Sequence, residues 1–231
     1  QGVRRAMTAA AARRLLRRAR SGALATTSCR EEGWPFASLV TVACDCDGAP
    51  LFLFSQLAEH TRNLAADSRA ALLVEEAARR ANPQTGPRVT VTGSIAKSAD
   101  ERHRRRFLAR HPAAAGYAGF ADFAIHRMTI ERVHYVGGFA RARWFTARDF
   151  LSETASADAI AAAETGLLAE LNRGGMAALV MERLRRGEGW SIVALDPGGC
   201  DLRRGNTLAR LEFPRPAHDP DLQGPVPATA R

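Results

Sequence analysis

The chain reads as a mainly β fold with helices, and three observations predict it. Apolar and β-branched runs of strand length recur between turn residues as far as Val136. Beyond the small and polar stretch Thr146–Ala157 (TARDFLSETASA) the hydrophobic spacing turns helical, which divides the chain into residues 1–150 and a small α/β unit over 151–231. With 231 residues and 46% hydrophobic content, the chain can bury a sizeable core.

The elements follow in order. An amphipathic helix is predicted near Thr8–Ala19, then strands near Ala23–Ser28, Pro35–Ala43 and Leu51–Ser55. Asp47-Gly48 supplies a turn dipeptide, so the last two runs read as a hairpin. In Leu57–Asp67 the residues Leu57, Thr61, Leu64 and Ala65 recur at helical spacing. Ala70–Glu75 and Arg88–Lys97 are strands separated by the loop Arg80–Pro87, and Gly93 within the second marks a bulge or a close backbone approach. Ser98–Phe123 turns helical, with a start signal at Ser98-Ala99-Asp100-Glu101 and an interruption at His111-Pro112. Met128–Val136 is the last strand of the first unit, and the pair Gly137-Gly138 after it allows a turn or a close passage of backbone. The second unit has helices near Asp158–Leu171 and Met176–Arg186, then strands Trp190–Leu195 and Thr207–Phe213 around the turn Asp196-Pro197-Gly198-Gly199. A proline-rich, loosely packed tail follows Pro214.

The net charge of +9 raises nucleic-acid binding, and Arg13–Arg18 and Arg102–Arg106 are basic runs. Only Lys97 among the 33 basic residues is a lysine, so the bias is compositional, and the runs fall where helices turn a polar face to water. Aromatic residues at 6% leave few stacking platforms for bases, and no nucleic-acid motif accompanies the charge. No apolar run approaches the roughly 18 residues needed to cross a bilayer. Without a secretory signal pattern either, the chain reads as cytoplasmic.

Cys29, Cys44, Cys46 and Cys200 lack metal-ligand spacing and read as plain small side chains. Neither a G-x-S-x-G elbow, an H-E-x-x-H pair nor a P-loop is present. His126, just before the last strand of the first unit, and His134, within it, read as ordinary, partly buried imidazoles in preference to haem ligands.

The stretch Pro35–Leu64 is the one whose spacing points to a ligand. A strand passes through Ser55-Gln56 directly into a helix, and such a junction offers unpaired N–H groups and the positive end of a helix dipole. Ser55, Thr61 and Arg62 are donors suited to a phosphate there. The same residues also suit a simple helix cap with Arg62 and His60 solvated.

The ordered segments Gly33–Val40 (GWPFASLV), Leu51–Leu64 (LFLFSQLAEHTRNL), Arg88–Lys97 (RVTVTGSIAK), Arg110–Pro112 (RHP) and His134–Ala142 (HYVGGFARA) carry a resemblance. Together they resemble the pyridoxamine 5'-phosphate oxidase-like FMN-binding split barrels, most closely the branch of HugZ-type haem-utilisation proteins. Ala155–Pro216 is similar to the small α/β domain appended to that branch. The resemblance implies an antiparallel split barrel, a homodimer, and FMN in a groove that both chains line. It places Ser55, His60, Thr61, Arg62 and Asn63 at the phosphate, with Ser38, Leu39, Val40, Thr41 and Arg88 along the flavin. The function it implies is an FMN-dependent oxidoreductase acting on an unidentified small molecule or electron donor, with haem binding and degradation as the alternative. Two departures bear on this. Ser38 and His60 stand where the oxidase proper has basic residues, which argues against pyridoxamine phosphate as substrate. The appended domain commonly carries a His-Met-Asn-x-Asp-His stretch where this chain has Glu170-Leu171-Asn172-Arg173-Gly174-Gly175, so both of its histidines are missing.

Overall fold

Alternation of apolar and polar residues makes the first two-thirds of the chain one curled sheet. The computed structural model describes residues 2–78, 80–138, 142–151, 154–183 and 187–213. Helix α1 (Gly2–Arg18) leads into strands β1 (Ser21–Thr27), β2 (Pro35–Thr41), β3 (Ala43–Cys44) and β4 (Pro50–Ser55). Helix α2 (Glu59–Ala66) precedes β5 (Arg69–Glu75) and β6 (Arg88–Lys97). Helix α3 (Glu101–Arg110), β7 (Phe123–Val136), β8 (Ala142–Thr146) and the single turn α4 (Ala147–Phe150) complete this part. The strands pair antiparallel in the order β2-β1-β5-β6-β7-β4-β3, with β8 also on β7, giving eight strands.

Register puts one residue of each strand into each inward row. Leu24, Leu72, Val91, Val133 and Phe145 are cross-strand neighbours, and all are buried. Helix α1 adds Ala12, Leu15 and Leu16 to this core and α4 adds Phe150. On the far side of β4 and β7, helix α3 packs Phe107 against Leu51, Leu53 and Ile125.

Gly93 behaves as its position in the sequence suggests. The β6–β7 register slips between Thr92↔Arg132 and Gly93↔Ile130, so Glu131 is the extra residue of a bulge. A Cβ on Gly93 would lie 1.9 Å from the Thr129 carbonyl oxygen. The Asp47-Gly48 turn also forms, with Gly48 at φ +100° and its N–H donating to Asp45 O at 3.0 Å.

The second unit comprises α5 (Thr154–Arg173), α6 (Met176–Arg183), β9 (Ser191–Asp196), β10 (Gly199–Arg204) and β11 (Thr207–Glu212), with sheet order β11-β10-β9. Its core joins Ala157, Ile160, Trp190, Ile192 and Leu202 to Cys46 of the barrel.

Four expectations need correction. The long run Pro35–Ala43 does not pair with Leu51–Ser55: β2 pairs with β1, and only Ala43↔Leu51 and Cys44↔Pro50 form the predicted hairpin. Strand β7 starts five residues earlier than its alternation suggests, because Ile125 and His126 are both buried, one under α3 and one toward the barrel, and this erases the two-residue period. Strands β8 and β10 were not anticipated, and the helical stretch Ser98–Phe123 contracts to α3 and a 3₁₀ turn over Pro112–Gly116.

The fourth concerns the arginines. Arg17 and Arg106, one from each basic run, are buried instead of solvated, and Arg110 beyond the second run is buried with them. Arg17 meets Asp196 at 2.7 Å, Arg210 meets Asp196 at 2.8 Å, Arg110 meets Asp201 at 3.2 Å, and Arg106 pairs with Glu164. Arg106 also donates to the carbonyls of Cys44 and Leu195 at 3.0 and 2.8 Å. An ionic seam thus joins the barrel to the C-terminal unit. Guanidinium, which stays charged when buried and donates in a planar fork, suits these contacts better than an ammonium. The predicted tail after Pro214, His218 within it, Phe139–Arg141, and the last three residues of the predicted helix Met176–Arg186 lie outside the described residues.

Candidate functional site

A half-barrel has an outer face, and here much of it is uncovered. The residues between the buried inward rows form an outward row across six strands: Leu39, Ala23, Leu73, Thr90, His134 and Trp144. Leu39 is 82% exposed, Trp144 59% and Leu73 38%. The adjacent row runs Ala37, Ala25, Ala71, Thr92, Arg132 and Thr146. Side chains this small leave a shallow, largely apolar floor with Arg132 near one end. Arg88, two residues from Thr90 on the same face, lies opposite Glu75 and Val136.

His134 is the functional group on this floor. Its ring lies against Trp144 with centroids 4.7 Å apart and planes 33° to each other. Neither ring nitrogen has a hydrogen-bond partner among the described residues. Most other imidazoles are committed. His103 binds Ser98 and Asp45, His111 Nε2 faces Val42 O at 2.9 Å, and His126 Nδ1 faces Ala124 O at 3.0 Å. Burial holds His126 below the usual imidazole range against the opposing carbonyl bond. His60 is half-buried, burial lowers its pKa, and it sits edge-on to Phe54 at 4.4 Å.

The ten residues expected at the cofactor separate into three groups. Leu39, Thr41 and Arg88 share the outward face, whereas Ser38 and Val40 point inward, since neighbours on a strand face opposite ways. Arg88 Nη1 lies near the carbonyls of Gln84 and Gly86 at 3.3 and 3.4 Å. Ser55, His60, Thr61, Arg62 and Asn63 gather at the start of α2. There Ser55 Oγ bonds the Asp122 carboxylate at 2.6 Å and accepts from Leu57 N at 3.1 Å. Arg62 is paired with Glu59 at 3.3 Å. Asn63 is fully buried, accepting from Cys29 N at 2.9 Å and donating to Thr26 Oγ1 at 3.0 Å. Of these ten residues, Thr61 alone has a buried side-chain oxygen without a hydrogen-bond partner.

The corner therefore gives two of its strongest donors to carboxylates, and a dianionic phosphate would have to displace Asp122 and Glu59. A porphyrin makes different demands: a flat apolar bed, an imidazole lone pair, and cations for its propionates. The outward face holds residues of all three kinds in Leu39, Leu73 and Trp144, in His134, and in Arg88 and Arg132. Sequence reasoning takes His134 for an ordinary imidazole because its signal lies in register across six strands and in no local spacing. Among the described residues no group of three or more His, Cys, Asp or Glu could hold a metal ion, and no helix is long and apolar enough to cross a membrane.

Known proteins share this architecture. A segment of 124 residues is 38% identical to the chloroplastic non-canonical heme oxygenase HOZ of Arabidopsis thaliana, covering 52% of this chain and 37% of that protein. The chain thus spans little more than a third of the length of that curated relative. A protein of unknown function from Agrobacterium tumefaciens superposes with a TM-score of 0.75 at 26% identity, over 91% of this chain and 89% of its own. A heme binding protein from Mycobacterium smegmatis superposes with a TM-score of 0.58 at 27% identity, over the same shares. The profile of the CREG β-barrel family matches residues 4–152, which takes in the whole curled sheet from α1 to α4, and the chain belongs to that family.

Proposed function

We propose that the protein binds haem on the outward face of its half-barrel, as a member of the HugZ-type haem-utilisation branch, and that His134 offers the imidazole to the iron. The observation that carries this reading is a half-buried imidazole without a hydrogen-bond partner, standing in an exposed apolar row beside Trp144. The names of two similar proteins, one a heme oxygenase and one a heme binding protein, support it.

When bound, haem supplies the iron chemistry, and the polypeptide sets ligand, charge and access. Trp144 packs against one face of the His134 ring. Leu39 and Leu73 exclude water from the floor, and Arg88 and Arg132 place positive charge on the same face. A second copy of the chain covers that face in this reading, making the homodimer and closing the groove.

FMN is the second reading, favoured by one observation: the Thr61 hydroxyl is buried without a partner in the first turn of α2, beside Arg62. Phosphate binding there needs Arg62 to leave Glu59.

Titration of the purified protein with haemin and, separately, with FMN distinguishes the two. The haem reading expects a sharp Soret band that shifts or disappears in His134→Ala and survives in His60→Ala. A Soret band unchanged by His134→Ala removes His134 from the iron, and flavin absorbance retained through gel filtration without haem uptake favours FMN. Iron release from the haem complex on adding a reductant marks haem degradation as the activity.

A further inference from the structure

The unexpected cluster lies away from the outward face, at the junction between β6 and α3. Ser98 follows the last residue of β6 and stands two residues before Asp100, the N-cap of α3. Its Oγ lies 2.7 Å from His103 Nδ1, and His103 Nε2 lies 2.9 Å from Asp45 Oδ2. A hydroxyl, an imidazole and a carboxylate are thus joined in series, from three separate places in the chain: the end of β6, the first turn of α3, and the β3–β4 turn.

His103 Nε2 faces both the Asp45 carboxylate at 2.9 Å and the Arg102 guanidinium at 3.1 Å. The tautomer that serves this series carries its hydrogen on Nε2 toward the carboxylate, which leaves the Nδ1 lone pair for the Ser98 O–H. Asp45 is held rigidly as an anion. Burial opposes its ionisation, but bonds from His103 and Arg102, with the Cys46 N–H, keep its carboxyl far below the usual range. Arg127 adds a further cation at 3.4 Å. His103 is buried, so its ring is fixed against both neighbours, while Ser98 is partly open to solvent. The Asp100 N–H approaches Ser98 Oγ at 3.3 Å, and the positive end of α3 lies beside it. Both favour negative charge developing on that oxygen.

We propose that Ser98, His103 and Asp45 form a second, haem-independent site that cleaves activated acyl esters, with Ser98 as nucleophile, His103 as general base and Asp45 as the group that orients the imidazole. Triads of this kind are identified by geometry and role, which is why the missing G-x-S-x-G motif does not count against this one. A cleft of about 360 Å³ has Asp45, Asp47, His103, Arg102 and Arg127 in its wall, with Asp158 and two alanines from α5. Ser98 stands one hydrogen bond from that wall. The space suits a small acyl or aryl group, and because both guanidiniums are paired with aspartates the substrate is uncharged.

The reaction balances without a co-reactant other than water. Ser98 Oγ bonds to the ester carbonyl carbon as its proton passes to His103 Nδ1, the C–O bond to the leaving phenolate breaks, and the imidazolium then gives that proton to the phenolate. Water attacks the acyl carbon, giving a proton to the neutral Nδ1 of His103. The bond from the acyl carbon to Oγ breaks, the carboxylic acid departs, and His103 returns the proton to Ser98. Donors at Oγ are a single backbone N–H and a helix end, so the substrates are aryl esters, whose leaving group needs no protonation for departure.

The test uses the whole chain without haem. Incubation with a fluorophosphonate followed by peptide mass spectrometry should place the adduct on Ser98, and p-nitrophenyl acetate should be hydrolysed with an initial burst. Ser98→Ala and His103→Gln should each lower that rate by on the order of 10²–10⁴-fold while leaving haemin uptake unchanged. Folded wild-type protein that carries no Ser98 adduct overturns the proposal, whatever the variants do. An adduct on Ser98 that forms equally fast in His103→Gln overturns the role given to His103. Since the label is read on apo protein, failure here is distinguishable from failure of the haem reading.

Discussion

Replacing Asp196 with alanine tests whether the ionic seam holds the two parts of the chain together. The Asp196 side chain is 3% exposed and meets two guanidiniums, each 5% exposed, at 2.7 and 2.8 Å. Removing one partner of a buried pair costs about 3–5 kcal/mol, because the remaining charge stays in a poor solvent. Arg210 would keep Asp201 at 3.1 Å and Glu212 at 2.9 Å, which sets the expectation at the lower end, about 3 kcal/mol. Asp196 Oδ1 also accepts from Gly198 N at 2.8 Å, and losing that bond adds about 1 kcal/mol. For a chain of this size, about 4 kcal/mol lowers Tm by roughly 8–16 °C. Asp196→Asn, which keeps an acceptor for Gly198 but not the charge, should recover only the smaller part. Calorimetry and urea unfolding of the three proteins supply the numbers. A loss below about 1 kcal/mol, typical of an exposed ion pair, would refute the claim that the seam is buried and structural.

Other consequences are quickly stated. Gly93→Ala should cost about 3 kcal/mol or more in urea unfolding, since its Cβ would meet the Thr129 carbonyl and backbone yields little. Asn63→Ala removes a fully buried side chain that accepts from the Cys29 N–H and donates to the Thr26 hydroxyl, and should cost about 2 kcal/mol whether or not any flavin binds. With Asp45 and Asp196 held below the ordinary 3.8 in the fold, their stabilisation is fully present above that value and is lost as pH falls through their folded-state pKa values. His60, His111 and His126, held by burial below 6.5, add a separate loss that begins as pH drops under 6.5. A denaturation midpoint that stays flat from pH 7 to pH 4 would contradict the histidine part, and one that stays flat from pH 4 downward would contradict the carboxylate part. A thiol reagent at pH 8 should find Cys29 fast, because it is exposed, while Cys46 and Cys200 react slowly, buried and with thiols pushed up to about 11 and about 12.

Strands that alternate were legible in the sequence. Arg88–Lys97 has the same limits in both readings, with the bulge at Gly93, because one face of β6 is core and the other is not. Strand β7 begins earlier than foreseen because both its faces are covered at that end, which removes the signal that periodicity relies on. Strand β10, GCDLRR, looks polar, yet Asp201 is satisfied by Arg110 and Arg210 from elsewhere, so this carboxylate marks a seam and not a surface. The arginines of α1 and α3 misled for the same reason: Arg106, Phe107 and Arg110 share the buried face of one helix, and no local pattern says which arginine has a carboxylate waiting. Of the candidate site, the start of α2 was foreseen as a place, but Asp122, which binds Ser55, is 67 residues away along the chain. His134 and Trp144 become neighbours only through pairing of β7 with β8, a strand without a clear sequence signal.

The outward row also bears on how the proposed homodimer would respond to ligand. Burying the exposed parts of Leu39, Leu73 and Trp144 is worth on the order of 3–5 kcal/mol in each copy. Association costs about 4–15 kcal/mol in lost freedom, and a stable interface usually covers about 800 Å² per partner. The three large side chains alone therefore leave pairing near balance, and the alanine floor of Ala23, Ala25, Ala37 and Ala71 adds breadth but little depth. A flat apolar ligand on that floor supplies the missing area to both copies at once, so haem and the second protomer should bind with positive linkage. Sedimentation of the apo chain at micromolar concentration should show monomer and dimer together, with haemin shifting the mixture to dimer and Leu39→Arg weakening both pairing and haemin uptake. A chain that is fully dimeric without haemin, and remains so in Leu39→Arg, would place the interface elsewhere and leave the exposed row without the partner argued for it.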